Sequence, residues 1–299
     1  GDGVYDAGAR VAAGQTVTNR LVLDKAVRVE SVNGPAATVI AGRWHSEETP
    51  LGALAVRGVY VANGAVLCGF TVSNGATAAA SYSDNGRGGG LFLAAGGAAT
   101  NCTVTGCRAW VGGGAAGAAG AAGVLRGCVL SGNAAMSIGY TSGYGGGMYG
   151  LLAEGCAIVS NTAYMGGGVY ECTLTGCDIL SNIADNQGGG AYYGVLDRCR
   201  VLGNRSGAAS YGVGGGVYDA VLTSCLISGN TSRQGGGVYG STAAKGMYNC
   251  TVVANTATVT GTTQGGGGFY GNGTSYPVRN CIVYHNASGG LGTNLYQGT

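Results

Sequence analysis

Short stretches of alternating apolar and polar residues, separated by Gly, Asn or Ser, follow one another along most of the chain. The clearest stretch is a six-residue motif, C-x-[ILV]-x-x-N, in which the Cys and the aliphatic residue have the period-two spacing of a strand with one buried face. We predict that these side chains stack inside a solenoid and that the Asn amides form a ladder at one corner. The seven copies begin at Cys128, Cys156, Cys177, Cys199, Cys225, Cys250 and Cys281 and end at Asn133, Asn161, Asn182, Asn204, Asn230, Asn255 and Asn286.

A second motif, three Gly followed by an apolar and an aromatic residue, runs in phase with the first. From the copy at Gly145 onward, successive triplets begin 21, 22, 26, 21 and 31 residues apart. The shortest interval is the basic coil, and the longer ones contain loop insertions. The triplet is expected at the corner opposite the Asn ladder, where the backbone bends or coils approach too closely for a Cβ atom.

The two motifs predict an all-β fold, a right-handed parallel β-helix with about 21–22 residues per minimal coil. Neither the turn signals of an antiparallel sandwich nor a helical period of 3.6 is visible. We expect one domain over residues 1–299, with irregular coils in 1–87 and regular coils in 88–299. Strands are predicted within 16–23, 25–32, 55–61 and 65–74, a turn at 33–42, and a flexible insertion at 114–123 (GAAGAAGAAG).

Composition narrows the class of partner. With 64 Gly but only 3 Pro the chain is not collagen, and charged residues make up only 9% of it. A net charge of +2 from scattered Lys and Arg argues against a nucleic-acid partner. No run of 18 apolar residues predicts a membrane span. The missing leader and end caps suggest a fragment or processed part of a longer chain.

The paired motifs resemble the GGA-I and FxxN repeats of polymorphic outer-membrane proteins, and residues 31–42 (SVNGPAATVIAG) resemble the start of bacterial pectate-lyase-like β-helix proteins. The resemblance covers almost the whole chain. It implies a parallel β-helix of the kind found in adhesins, autotransporter passengers and polysaccharide lyases. The chain departs from the outer-membrane family in having Cys where Phe is expected.

The stacked Cys residues are expected to be reduced and to act as small core hydrophobes. Rungs about 4.8 Å apart fit poorly with the roughly 3.8 Å between the Cβ atoms of a disulfide. Cys107 and Cys172, which lie off the pattern, are the candidates for an exception. No His cluster accompanies the Cys residues, so neither a metal nor another cofactor is predicted.

An aromatic row is the candidate binding face. Its rings could form a platform for sugars, or they could simply stabilise one face by contacting each other. The row consists of Tyr149, Tyr170, Tyr192, Tyr218, Tyr239 and Tyr270.

Catalytic residues are not predicted, because the charged residues do not converge in the repeat. Asp178, Asp185, Asp197 and Asp219 occupy different places in successive coils. His45, beside Glu47 and Glu48, forms the best polar cluster, and we interpret it as a solvated loop. A further row three residues after the ladder Cys is apolar although its parity points outward, and it forms either a partner surface or a covered stripe. That row is Val159, Leu180, Leu202, Val253 and Tyr284.

These observations favour a structural or adhesive β-helix outside the cell or on a bacterial cell surface, without catalytic activity. End-to-end stacking into a homopolymer and a glycan or cell-surface partner are the interactions expected. The alternative is a polysaccharide-active enzyme of the lyase or hydrolase kind, or a carbohydrate-binding β-helix. An ice-binding surface is disfavoured because the outward positions carry no regular Thr array.

Overall fold

The computed structural model describes residues 1–78, 83–118, 123–137, 142–207, 211–273 and 276–297. The chain is a right-handed parallel β-helix, as the motifs predict. Each regular coil passes through four sheets in turn, numbered 1 to 4 in chain order from the strand that carries the aromatic row. Strands of successive coils pair in parallel, and among the described strands only Arg10–Val11 and Thr18–Leu23 pair antiparallel.

Sheet 1 contains Arg10–Val11, Thr18–Leu23, Arg57–Val61, Leu91–Leu93, Ala115–Gly117, Met148–Tyr149, Val169–Tyr170, Ala191–Tyr192, Val217–Tyr218, Val238–Gly240, Phe269–Gly271 and Leu295–Gln297. Sheet 2 contains Arg28–Glu30, Val66–Cys68, Ala98–Thr100, Val124–Arg126, Leu152–Glu154, Thr173–Thr175, Val195–Asp197, Val221–Thr223, Gly246–Tyr248 and Val278–Arg279.

Sheet 3 contains Gly3–Tyr5, Thr38–Ala41, Thr71–Ser73, Thr103–Thr105, Val129–Ser131, Ala157–Val159, Asp178–Leu180, Arg200–Leu202, Leu226–Ser228, Thr251–Val253 and Ile282–Tyr284. Sheet 4 contains Arg108–Ala109, Ala134–Ala135, Thr162–Met165, Ile183–Gln187, Arg205–Ser206, Thr231–Ser232, Thr256–Gln264 and Ala287–Leu291. The described residues add one short 3-10 helix, Asp84–Gly86. No helix among them is long and apolar enough to cross a membrane.

Single left-handed residues turn the chain from one sheet to the next. In the coil that starts at Met148 they are Gly150, Gly155, Ser160 and Gly166, with φ between 53° and 63°. The residue before each ladder Asn, and not the Asn itself, is therefore the left-handed one. This placement lets the Asn side chain enter the interior while Ser160 makes the bend.

The Gly triplets are required by both bending and close approach. Gly166 has a φ of 63°, which L side chains rarely adopt. A Cβ on Gly167 or Gly168 would lie 2.5 Å from the carbonyl oxygen of the coil above, at Gly189 and Gly190 respectively. The triplet lies between sheets 4 and 1, where only the short sheet 4 strand separates it from the Asn corner, so the expected position opposite the Asn ladder is wrong.

The structure differs from three local predictions. Residues 33–42 are not only a turn, because Thr38–Ala41 is a sheet 3 strand. The predicted strand over 65–74 is two strands separated by Gly69, whose φ is 73°. Ala115–Gly117 is a buried sheet 1 strand within the predicted flexible insertion, and residues 119–122 of that stretch lie outside the described residues.

Aliphatic side chains from sheets 1, 2 and 3 fill the interior. In sheet 3, Ile158, Ile179, Val201, Ile227 and Val252 have no solvent exposure and stack rung upon rung. The outward apolar row is half-buried from Val159 to Val253, and only Tyr284 is exposed. Because aliphatic side chains fill the interior, we look for functional side chains at the corners and in the loops of the helix.

Candidate functional site

The ladder asparagines lie in one buried column and satisfy each other. Asn161 donates from Nδ2 to Oδ1 of Asn182 at 3.0 Å and to the carbonyl of Leu130 at 2.9 Å. The same Oδ1 accepts the backbone N–H of Asn161 at 2.9 Å. The pattern runs from Asn133 through Asn286, where Oδ1 of Asn294 takes the next place. No polar atom of this column remains for a ligand, so it is a structural element.

The Cys residues also form an interior column. Ten of the eleven are buried as thiols, and Cys281 is half-buried. Rungs are joined by contacts such as the backbone N–H of Cys156 to Sγ of Cys177 at 3.4 Å. Burial raises the pKa of Cys107 and of Cys172 to about 12, which keeps both protonated near neutral pH. Within the described residues no three His, Cys, Asp or Glu side chains are grouped to hold a metal ion.

The aromatic row is a stack of rings along the helix axis. Tyr170 and Tyr192 have centroids 4.7 Å apart with planes 10° from parallel, and Tyr192 and Tyr218 are 4.8 Å apart. Four further pairs stack with centroids 5.0 to 5.3 Å apart: Tyr149–Tyr170, Tyr218–Tyr239, Tyr239–Tyr270 and Tyr270–Tyr296. Because each inner ring uses both faces on its neighbours, the row cannot serve as a flat platform for sugars. Its edges and hydroxyl groups are the parts that a ligand could meet.

The position directly after each stacked Tyr forms a second column, at the corner between sheets 1 and 2. Glu171, Tyr193 and Asp219 occupy it in three successive coils, each left-handed with φ between 51° and 58°. These residues are 22 and 26 positions apart in the chain, yet the coil register places them on adjacent rungs. The sequence contains a signal for this column, because each of its three residues directly follows the Tyr of a GGGxY motif.

A loop inserted after Val238–Gly240 folds back over this corner because Asp219 holds it. Oδ1 of Asp219 accepts the backbone N–H groups of Ser241 and Thr242, both at 2.9 Å, and Oδ2 accepts the Thr242 hydroxyl. The Asp219 side chain has no solvent exposure. A buried carboxylate with these bonds is the anchor of the loop.

The anchored loop brings Lys245 to the tyrosines. Its ammonium lies 3.5 Å from the ring centroid of Tyr193 and 3.7 Å from Oδ2 of Asp219, and 23% of its side chain is exposed. We call Lys245, Tyr193, Asp219 and Glu171 the lysine cluster. Sequence reasoning missed Lys245, because an insertion has no fixed place in a repeat.

Burial shifts the proton equilibria of this cluster. It lowers the pKa of Lys245, and the charges of Asp219 and Glu171 oppose part of that decrease. Burial, and to a smaller extent the neighbouring Tyr193, raises the pKa of Tyr192. Burial also raises the pKa of Tyr218. An amine with a lowered pKa beside phenol groups is suited to proton transfer.

The other candidates from the sequence are dispersed. Asp178 forms a two-pronged pair with Arg200, at 2.6 Å from Nε to Oδ1, and this pair lowers the Asp178 pKa. Asp197 pairs with Arg198 at 2.9 Å. His45 accepts the backbone N–H of Leu54 at Nδ1, in a loop at the other end of the helix. Of the four acidic candidates, only Asp219 belongs to the lysine cluster.

No protein-family model and no curated protein sequence matches this chain. Among solved structures the chain is similar to the A-module of the mannuronan C-5 epimerase AlgE4 from Azotobacter vinelandii. The identity is 14% and the TM-score is 0.44, over 99% of this chain and 88% of that one. The expectation of a non-catalytic structural or adhesive protein is contradicted by this enzyme neighbour, whose similarity to the chain concerns the fold alone.

Proposed function

We propose that the protein is a polysaccharide-active enzyme whose lysine cluster abstracts the proton on the carbon next to a uronate carboxylate. The observation that carries this proposal is the position of Lys245. Burial lowers the pKa of its amine. The buried carboxylate of Asp219 holds the amine beside the ring of Tyr193. An amine with a lowered pKa is partly neutral nearer to neutral pH, so it can accept a proton there.

The acidic residues of the cluster favour this chemistry over glycoside hydrolysis. Hydrolysis uses two carboxyl groups that both reach the glycosidic bond. Asp219 has no solvent exposure and its oxygens are engaged by Ser241 and Thr242, which leaves Glu171 as the only exposed carboxylate of the cluster. Proton abstraction needs one base and one acid, and Lys245 with Tyr193 supplies both.

The elimination balances with these two side chains. The neutral amine of Lys245 takes the proton, the electron pair of the C–H bond forms a carbon–carbon double bond, and the glycosidic C–O bond at the next carbon breaks. The Tyr193 hydroxyl donates a proton to the departing oxygen. After the product leaves, the Lys245 ammonium loses its proton to solvent and the Tyr193 phenolate takes one up, which restores both side chains for the next turnover.

The test is the ultraviolet absorbance of the unsaturated product with polygalacturonate and alginate as substrates. Lys245→Met is expected to reduce kcat by about 10²–10⁴-fold, the usual contribution of a general base. The chain offers a matched control, since Lys25 is its one other lysine and is exposed. Lys25→Met should retain full activity. Equal loss in both variants, or absence of turnover on every uronate polymer, would contradict the proposal.

A carbohydrate-binding β-helix without turnover is the second candidate, because the hydroxyl edges of the Tyr row could bind a glycan without chemistry. Saturable binding of the same polymers with no product would favour it. Polysaccharides such as polygalacturonate and alginate are too large to enter a cell intact. We therefore propose a location outside the cell or at a bacterial cell surface.

A further inference from the structure

A second cavity lies far from the lysine cluster. After Thr38–Ala41 the chain leaves the coil and folds over the corner between sheets 3 and 4. Beneath this loop is a cavity of about 510 Å³, lined by Gly42, Arg43, Trp44, Ser46, Glu47 and Asn74. We call it the Trp44 pocket. Its volume is within the ~300–1,000 Å³ of ordinary ligand pockets.

Trp44 is held as a rigid wall of this pocket. Its Nε1 donates to the carbonyl of Gly106 at 3.0 Å, two rungs above the strand from which the loop leaves. The guanidinium of Arg108 lies 4.9 Å from the ring centroid, and Nη1 of that Arg donates to the carbonyls of Cys107 and Gly132 at 3.1 and 3.0 Å. Arg108 does not line the pocket, so the indole presents other surface to it. The wall is thus fixed before any ligand arrives.

The polar groups of the pocket have capacity to spare. Arg43 uses Nε on the carbonyl of Leu54 at 3.1 Å, and its two terminal nitrogens make no other hydrogen bond among the described residues. The Glu47 carboxylate and the Asn74 amide have no hydrogen-bond partner in that part of the chain, and all three side chains belong to exposed residues. Asn74 is a left-handed corner residue with a φ of 52°. Its position is therefore set by the coil.

We propose that the Trp44 pocket binds one uronic acid residue of an acidic polysaccharide. The terminal nitrogens of Arg43 fit a carboxylate through two parallel hydrogen bonds. Glu47 and Asn74 can bond the ring hydroxyls, and the indole of Trp44 can cover the apolar face of the sugar ring. Arg43 balances the charge of Glu47 within the lining, and its terminal nitrogens offer a uronate carboxylate a contact that a neutral sugar lacks.

The pocket is a separate site. From the rung of Asn74 to that of Tyr193 the helix climbs five rungs, roughly 24 Å at about 4.8 Å per rung. The pocket is also at the corner between sheets 3 and 4, whereas the lysine cluster is at the corner between sheets 1 and 2. A uronic acid unit bound in the Trp44 pocket would anchor the polysaccharide without taking part in the reaction at Lys245.

Intrinsic fluorescence provides a local readout, because Trp44 lines the pocket and the other tryptophan, Trp110, is only 4% exposed. Titration of the full chain with tetragalacturonate or tetramannuronate is expected to change the emission saturably, and cellotetraose is expected to leave it unchanged. Arg43→Gln should weaken binding at least about tenfold, because it removes the guanidinium that pairs with the carboxylate. It removes no contact of Trp44, so the fluorescence readout remains. Arg233→Gln, at an exposed arginine elsewhere, is the matched control and should bind as the native chain does.

Three results would overturn the assignment: no saturable change with either uronate, equal binding of cellotetraose, or unchanged affinity in Arg43→Gln. Glu47→Gln provides a second variant that leaves the loop intact, and its affinity for uronate should change as well. Lys245→Met must bind the tetrasaccharides normally. Failure of turnover with intact binding therefore separates the proposed enzyme activity from this pocket.

Discussion

Two corners of the same helix differ in what they repeat. At the corner between sheets 3 and 4 the same residue, Asn, recurs coil after coil, and each amide bonds the next from Asn133 to Asn286. At the corner between sheets 1 and 2 the corresponding positions hold Gly150, Glu171, Tyr193 and Asp219. At the first corner the polar groups of the Asn side chains are all hydrogen-bonded within the fold. The second is free to differ between coils, and this is where the lysine cluster assembles.

Replacement of a ladder amide should have the largest effect on stability. Asn182→Ala removes the acceptor of the Asn161 backbone N–H and leaves that buried group without a side-chain partner. It also removes one of the two acceptors of Asn161 Nδ2 and the Nδ2 group that donates to the carbonyl of Ile158. We expect the free energy of unfolding to fall by about 3–5 kcal/mol, since each unsatisfied buried group costs about 1–3 kcal/mol. Urea unfolding measures this.

The matched change at the variable corner is Glu171→Gln, which should cost less than about 0.5 kcal/mol because Glu171 is exposed. A similar loss of stability in both variants would contradict the distinction between the corners.

The variable corner should instead control the pH dependence of turnover. Lys245 must be neutral to accept a proton, so kcat should rise as the pH increases through its pKa. Asp219 raises that pKa against the effect of burial. Asp219→Asn keeps an oxygen for the N–H groups of Ser241 and Thr242 but removes the charge, so the rise in kcat should move to lower pH. The measurement is the kcat–pH profile on polygalacturonate or alginate.

Glu171→Gln should move the same profile in the same direction, because Glu171 also raises the Lys245 pKa, but by less, since its contribution is smaller than that of Asp219. A shift to higher pH in either variant would show that Lys245 is not the base.

The smallest expected effect concerns the uniform interior. Labelling of the native protein with a thiol reagent should modify Cys281 first, because it alone of the eleven Cys is half-buried. The other ten should react only after unfolding in denaturant, since burial keeps their sulfur atoms out of reach of the reagent. Cys281→Ser should abolish the fast phase, whereas Cys177→Ser should leave it. Rapid labelling of several Cys in the native state would contradict the packed column.

Repeated positions were predictable and inserted ones were not. The GGGxY and C-x-[ILV]-x-x-N motifs indicate a parallel β-helix, and sheet 3 has its strands where the second motif predicts them. The strand Ala115–Gly117 was missed because Ala and Gly lack the β-branched and aromatic signal of a strand, although a Gly triplet precedes it. The left-handed residue before each Asn was missed because Ser160 and Ser181 have no strong preference for that backbone.

The sequence by itself determined the period of the coil and which residues meet in the interior, because identical residues in phase stack whatever the loops between them do. Only the tertiary structure decided how the lysine cluster and the Trp44 pocket are built. Lys245 and Trp44 belong to inserted loops, whose direction depends on contacts with other coils, through the Asp219 carboxylate in one case and the Gly106 carbonyl in the other. A repeat specifies its own stacking, but it contains no information about where an insertion folds back.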